Sequence, residues 1–498
     1  MRPKDKKHSK DKIIPKGLGT IGTLVQSSSS VLASKIISPQ VIKSANQTTH
    51  TKKGIALQAL TAIPIQVGYY AVLKPDICKV LPSCAYSNPI STYGRSIFTT
   101  FPINSSTSLD IATIAGATSL TNYEAIVIWG IPPPTSAYWS YTPYLYDRLL
   151  PDGSRFVYYA SLTDSFDNYD VIKGTTISKL AIIMTLNETI MSILTNLFSD
   201  YYVIQLKVPN VLQDTDRVAY LQRISLPKSK SSLTSYEFNP KSYTIKITFP
   251  STMNFSPYCI NIPGSGTGYG YQGQINGSPA DSACLTFKTR PNSPNEIAKY
   301  STGYNIFLSS VKNGLTILKT INFAPYLDNI NTGYDCINKG IDCYADTRDS
   351  TYSQATNSSG SSITLPSNSY ALIVAVNHHC TCKAIYCSIT AYDTTNQSSV
   401  GFHIPCTNPS VCPCLSMGQY GNPSPSQPPC PSTSPFYIVT AGYGSQYTIN
   451  IPTSTTQLVF GERSYIQLPE NIGPDNASLI FPTLYIVSGS LPSTSTTA

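Results

Sequence analysis

Residues 124–162 leave little choice of backbone. "EAIVIWG" (124–130) runs into "IPPP", where three consecutive prolines can neither continue a helix nor donate to a sheet ladder. "YWSYTPYLYDRLL" (138–150) follows, then "PDGS", then "RFVYYASL" (155–162). Two stretches rich in aromatic and β-branched residues around a Pro-Asp-Gly-Ser turn predict a hairpin. Pro143, inside the first stretch, predicts an edge strand or a bulge, because proline has no N–H to give.

Further along, "YTIKITF" (243–249) alternates as a strand, and "SYALIVAVNHH" (369–379) and "KAIYCSITAY" (383–392) read as two adjacent strands of a second β-domain. "FPTLYIV" (481–487) is a last strand before a Ser/Thr tail. One segment departs from this pattern. "LAIIMT" (180–185) leads into "TLNE", a capping box with Thr185 and Glu188, and Ile190, Ile193, Leu194, Leu197 and Phe198 then recur at helical spacing before "YYVIQLKVP" (201–209). The expected fold class is therefore mainly β, with β-sandwich-like domains and a small α/β strand-helix-strand insert near 180–209.

Charge is scarce and unevenly placed. Only 12% of the 498 residues are Asp, Glu, Lys or Arg, while 35 are Tyr, so hydroxyls and amides must wet the surface where charge usually does. Residues 1–53 hold 11 Lys or Arg against 2 Asp, a balance of +9; the remaining 445 hold 23 basic and 24 acidic groups, a balance of −1. The first 53 residues thus read as a basic, disordered arm suited to nucleic acid or anionic lipid. Next comes an uncharged run, "GIALQALTAIPIQVGYYAVL" (54–73). It is long enough for a membrane anchor or a signal core, yet its Gln, Pro and Gly residues suit a buried strand or helix equally. Composition divides the rest into a first β-rich domain (75–300), a cysteine-rich second β-domain (301–421), a Pro/Ser linker (422–435), and C-terminal strands with a tail (436–498). "GSGTGYGYQGQINGS" (264–278) lacks the Lys-Ser/Thr pair and following helix of a phosphate loop and reads as a surface loop.

Nine of the thirteen cysteines lie between 336 and 430, a density that points to disulfides in an oxidising setting. Candidates for bridges are Cys78, Cys84, Cys259, Cys284, Cys336, Cys343, Cys387, Cys406 and Cys430. Cys380-x-Cys382 and Cys412-x-Cys414 offer the alternative of a metal site, since residues two apart on a strand share a face. Eight Asn-x-Ser/Thr sequons are about what this composition gives by chance and carry no weight.

No Gly-x-Ser-x-Gly elbow and no His-Glu-x-x-His helix is present. What remains is polar: Asp346, Arg348 and Asp349 on one loop, with Asn377 and His378 at a strand end. If the chain were an enzyme, Asp346, Asp349 and His378 would be its acid and base groups. The plainer reading makes Arg348 a guanidinium tied to the carboxylates on either side of it, holding the loop in shape. Asp164, Asp167 and Asp170 form a second acidic loop with oxygens that calcium would accept, though without the EF-hand spacing.

Several stretches together resemble an uncharacterised family of β-rich proteins, predicted to be secreted, from algae, fungi and bacteria, with relatives in giant DNA viruses. The matching motifs are Tyr138, Thr142, Pro143, Tyr144, Leu145 and Arg148; then Cys336, Cys343, Asp346, Arg348 and Asp349; then Asn377 and His378. The likeness spans roughly residues 75–490 and implies no activity. Cys380, Cys382 and Cys387 depart from its pattern and suggest an added crosslink.

Composition and resemblance together lead to the expectation of a non-enzymatic, disulfide-stabilised structural or attachment protein of a virion or membrane surface. It would use no cofactor. Its partners would be other virion or surface proteins, with oligomers expected, a membrane through residues 54–73, and nucleic acid or anionic lipid through residues 1–53. Arg348, Asn377, Tyr144 and Arg148 are the expected binding residues. A secreted hydrolase acting on polysaccharide or ester bonds is the competing reading.

Overall fold

The computed structural model describes residues 64–73, 88–89, 91–98, 112, 115–171, 175–238, 241–258, 260–261, 285–290, 295–326, 332–356, 362–381, 383–395, 398–405, 435–468 and 470–491. They form a mainly β protein.

The first unit is one eleven-stranded sheet with two helices among its connections. In chain order it comprises β1 (Ile65–Leu73), β2 (Ser91–Ile97), β3 (Thr118–Ser119), β4 (Glu124–Gly130), β5 (Ser136–Leu149), β6 (Arg155–Ser161), β7 (Phe166–Asp167), β8 (Leu180–Thr185), α1 (Glu188–Leu197), β9 (Tyr202–Lys207), β10 (Arg217–Pro227), α2 (Lys230–Phe238) and β11 (Ser242–Thr248). The spatial order is β6-β5-β10-β2-β1-β11-β4-β8-β9, with β3 beside β10 and β7 beside β5. Both faces are covered, which explains why "EAIVIWG" is apolar without alternation. Ala125, Val127 and Trp129 pack with Ile190, Met191 and Leu194 of α1. Ile126 and Ile128 point the other way, into a core shared with Tyr141, Leu145 and Ile224.

The hairpin forms as expected. Leu150 N donates to Ser154 O at 2.8 Å, and Gly153 supplies the positive φ of 83° that the turn needs. Pro143, however, lies on an interior strand, between β6 and β10. β5 pairs with β7 at Ser140 and Tyr141 and with β6 only from Tyr144 onward. The missing N–H therefore falls in a gap between two partners, while Pro143 O still accepts from Leu162 N at 2.9 Å.

The strand-helix-strand segment is present, with β8 and β9 parallel, but as an edge of the large sheet and not as a separate insert. Its cap also differs from the sequence reading. Asn187 is the N-cap, its Oδ1 accepting from Thr189 N at 3.0 Å, while Thr185 ends β8 and donates to Glu124 O at 2.8 Å. The second half of the uncharged run 54–73 is β1, paired with β2 and β11. Residues 1–63 lie outside the described residues, among which no helix is long and apolar enough to cross a membrane.

β12 (Ile260–Asn261) and β13 (Leu285–Thr286) form a short parallel pair. The second unit follows: α3 (Asn295–Lys312), β14 (Ile317–Asn322), β15 (Ala324–Pro325), α4 (Gly333–Lys339), β16 (Ser350–Ala355), β17 (Ser369–Val376), β18 (Tyr386–Asp393), β19 (Ser398–His403), β20 (Phe436–Gly442), β21 (Ile449–Asn450), β22 (Leu458–Tyr465) and β23 (Thr483–Ser488). Two five-stranded sheets, β14-β23-β17-β20-β21 and β15-β16-β22-β18-β19, pack as a sandwich. Ile373, Val439 and Leu484 from one meet Ile389, Ala391 and Phe460 from the other. α3 covers the outer face of the first sheet, packing Tyr304, Phe307, Leu308 and Val311 against Tyr370, Leu372, Val374 and Tyr485.

Two expectations change here. β17 and β18 follow one another in the chain but belong to opposite sheets. Strands β20 to β23 complete both sheets, so 301–421 and 436–498 make one sandwich, and the Pro/Ser stretch 422–435 does not separate two bodies. The glycine-rich run 264–278 lies outside the described residues.

Candidate functional site

Alternation along β5 and β10 sends Tyr138, Ser140, Thr142 and Tyr144, with Arg223 and Ser225, to the face of the large sheet opposite its apolar core. That face meets the outer surface of the second sandwich sheet, where Tyr386, Tyr465, Tyr352 and Arg463 stand side by side. The contact is aromatic and hydroxylated. Tyr386 and Tyr465 stack at 4.7 Å with 13° between planes, and Tyr138 lies 5.1 Å from Tyr465. Asn88 Nδ2 reaches both the Tyr386 and Tyr465 hydroxyls at 3.4 Å. Arg223 sits 5.6 Å over Tyr144, and Arg463 5.5 Å over both Tyr352 and Tyr392, so cation–π contacts join the ring packing.

Residues 344–349 run along this joint. Tyr344 and Ala345 both have positive φ, 51° and 55°, a conformation that costs non-glycine residues about 1–2 kcal/mol each. Cross-unit hydrogen bonds hold them: Ala345 N donates to Tyr159 O at 2.9 Å, and Arg223 Nη2 donates to Ala345 O at 2.6 Å. Asp346 accepts from Tyr144 OH through its carbonyl at 2.7 Å and from Ser161 N and Oγ through its carboxylate at 2.8 and 2.6 Å. Burial pushes the Asp346 carboxyl above the usual carboxylate range, against those donors and the nearby guanidiniums.

Arg348 pairs with a carboxylate far along the chain. Its Nη1 is 2.5 Å from Asp164 Oδ1, its Nη2 donates to Lys288 O at 2.9 Å, and its guanidinium lies 4.7 Å over Phe287. Asp349, 0% exposed, accepts from Tyr138 OH at 2.6 Å on Oδ2; its Oδ1 has no hydrogen-bond partner. The second acidic loop arrives at the same place. Lys288 Nζ is 2.7 and 2.9 Å from the two Asp170 oxygens, 3.0 Å from Asn471 O and 3.6 Å from Asp167 Oδ2. The position that calcium would take is held by the chain's own ammonium and guanidinium. Among the described residues no group of three His, Cys, Asp or Glu side chains is arranged to hold a metal ion. Burial, then Asp349 and Asp170, pushes Asp167 well above the usual carboxylate range.

His378 is elsewhere, inside the sandwich at the end of β17, and 0% exposed. Its Nδ1 is 3.0 Å from Glu296 of α3, and its Nε2 is 3.2 Å from Glu462 Oε1 of β22, off the line of a good hydrogen bond. Burial alone would lower its pKa, but the two glutamates outweigh it and hold the imidazolium at about 10. Asn377 Oδ1 accepts from His379 N at 3.2 Å and from the Cys387 thiol at 3.6 Å. Arg148 is bidentate to Asp216, at 2.8 and 2.7 Å. The structure thus brings Asp346, Arg348, Asp349 and Tyr144 to one joint, gathers His378 and Asn377 in the sandwich, and ties Arg148 to a third site.

Cys336 and Cys343 are bonded, with 5.8 Å between Cα atoms. Half of the stapled segment is helix, α4, started by Asp335 reaching back to Thr332 N at 2.8 Å and stopped by Gly340 at φ 65°. Cys387, a bridge candidate in the sequence, is a buried thiol, and burial raises its pKa. Cys380 is buried too. The remaining bridge and metal candidates, Cys78, Cys84, Cys259, Cys284, Cys382, Cys406, Cys412, Cys414 and Cys430, lie outside the described residues. Sequence reasoning missed Lys288, Glu296, Glu462 and Asp216. None sits in a motif that would have singled it out.

Fold and site together define a mainly β protein of a large sheet and a sandwich, locked by a polar joint. No family model matches the chain, and no curated protein matches it. Among solved structures, an uncharacterized protein from Burkholderia cenocepacia aligns at 8% identity, covering 92% of this chain and 98% of that one, with a TM-score of 0.38. The N-terminal CBM22 tandem domain of Paenibacillus barcinonensis Xyn10C aligns at 9% identity, covering 85% and 93%, with a TM-score of 0.12. A partial N-terminal region of an enterococcal surface protein aligns at 9% identity, covering 86% and 96%, with a TM-score of 0.15.

Proposed function

We propose that this chain is a non-enzymatic structural or attachment protein of a virion or membrane surface. The observation that carries this reading is the burial of the groups that a hydrolase would need. Asp349 and His378 have no exposed surface, and His378 is held charged between two carboxylates, so it has no free lone pair to act as a base at neutral pH. Asp346 and Arg348 are engaged in bonds across the joint. A composition rich in tyrosine and poor in charge supports contact with other virion or surface proteins and self-association. The basic arm supports contact with nucleic acid or anionic lipid.

Purified chain carrying Asp349→Ala or His378→Asn tests the reading. Both variants are expected to unfold at lower temperature than wild type, and wild type is expected to turn over neither polysaccharide nor ester substrates. A wild-type hydrolytic activity that either variant abolishes while keeping its melting temperature would overturn it. Removing residues 1–53 is expected to abolish salt-sensitive binding to DNA or anionic vesicles, and unchanged binding would remove the arm from the proposal.

A further inference from the structure

Carboxyls outnumber cations where β7 meets the joint. Asp164, Asp167 and Asp170 come from β7 and the loops on either side of it, and Asp349 comes from the residue before β16. Facing them are Lys288 and Arg290, from the segment after β13, and Arg348. Arg348 bonds Asp164 and Lys288 bonds Asp170, while Arg290 donates to Thr351 Oγ1 at 2.7 Å and Pro474 O at 2.9 Å. Arg223 and Asp346, next along the joint, offset each other in charge. Four carboxyls against three cations leave one negative charge in excess, and Asp167 and Asp349 are both 0% exposed, where such a charge is costly.

Each of these two acids also has an oxygen to spare. Asp167 Oδ1 accepts from Tyr169 N at 2.6 Å, while its Oδ2, 3.6 Å from Lys288 Nζ, has no hydrogen-bond partner. Asp349 Oδ2 accepts from Tyr138 OH, while its Oδ1 has none. Strand β5 draws them to one place, because Asp167 pairs across the ladder with Ser140, and the Tyr138 hydroxyl lies 2.6 Å from both Ser140 Oγ and Asp349 Oδ2. A single proton would satisfy both spare oxygens and remove the excess charge.

We propose that Asp167 of the large sheet and Asp349 of the sandwich share one proton, and that this proton is a pH-sensitive latch on the joint. With it, the pair is a hydrogen bond carrying one negative charge, which the Lys288 ammonium faces. Without it, two buried carboxylates repel each other across the joint and loosen it. Burial pushes both carboxyls above the usual carboxylate range, and Asp349 and Asp170 push Asp167 further. An aspartate in the unfolded chain gives up its proton at about pH 3.9, whereas the native pair keeps it. The latch is therefore at full strength below about pH 3.9 and is lost as pH rises through the range in which the native pair titrates.

Asp349→Asn in the full chain tests this, since its amide N–H stands where the proton would sit and its carbonyl can still accept from Tyr138. Urea midpoints of wild type and variant are compared at about pH 5 and about pH 9. His378 titrates alike in both proteins and cancels in the difference. The midpoint of the variant relative to wild type is expected to be higher at the alkaline pH than at the acid one, and Asp167→Asn is expected to shift in the same direction. Infrared spectra at neutral pH are expected to show a protonated-carboxyl band in wild type that Asp349→Asn weakens. Two ionised aspartates held by Lys288 predict the reverse: a variant that loses as much stability at the alkaline pH as at the acid one. That result, or a wild-type spectrum without the band, would overturn the proposal.

Discussion

Removing the Tyr138 hydroxyl leaves a fully buried carboxylate oxygen without its donor. Tyr138→Phe is therefore expected to lower stability by about 1–3 kcal/mol, seen as a lower urea midpoint with an unchanged slope. His378→Asn leaves Glu296 and Glu462 without the cation between them and is expected to cost about 3–5 kcal/mol in the same measurement. Arg348, Asp349 and His378 are buried and Asp346 partly so, and their partners are distant in the chain: Arg348 bonds to Asp164, 184 positions away, and His378 lies between Glu296 and Glu462. Spacing in the chain reveals which side chains are unusual. It does not reveal which sheet faces will meet.

Elements were legible where local chemistry alone decides them. The Pro-Asp-Gly-Ser hairpin, the helical stripe of α1 and the alternation of β11 needed no tertiary knowledge. α3 escaped because Ser, Thr and Gly303 interrupt it, although Tyr304, Phe307, Leu308 and Val311 keep the helical spacing. Pro143 was misplaced because whether a strand is an edge depends on where its neighbours stop. α4 supplies two tests. Its Gly333 packs so closely on β6 that an added Cβ would come within 2.2 Å of Ser161 O, so Gly333→Ala is expected to displace the helix and lower the melting temperature by several degrees. Replacing both Cys336 and Cys343 by Ser opens a loop of seven-residue separation and is expected to cost about 2–3 kcal/mol from chain entropy, measured by denaturant unfolding.

Across the whole molecule, the sandwich was foreseen as a class but not as an assembly. The sequence reads β17 and β18 as adjacent strands of one domain and sets 436–498 apart from 301–421; only the packed structure shows that β17 and β18 lie in opposite sheets and that the C-terminal strands complete both. Several of the charged groups are buried where the two β units meet, among them Asp349, Arg348 and Arg223, and others form pairs elsewhere, as Arg148 does with Asp216 and His378 with Glu296. Their titration has a direction. His378 is held at about 10 against about 6.5 in an unfolded chain, so its contribution is full below pH 6.5 and fades as pH rises toward 10. Asp342, raised by burial to about 6, and Asp167 and Asp349, also raised by burial, act in the same sense at lower pH. The unfolding midpoint is expected to fall steadily between pH 6.5 and 10 in wild type and to fall less in His378→Asn.

If the joint is what these residues are for, the two β units unfold together and Arg348 helps to couple them. Scanning calorimetry of wild type and Arg348→Met measures this. A single transition is expected in wild type, lowered by several degrees in the variant as Asp164 loses its buried partner. Two transitions, each at the same temperature in both proteins, would contradict it.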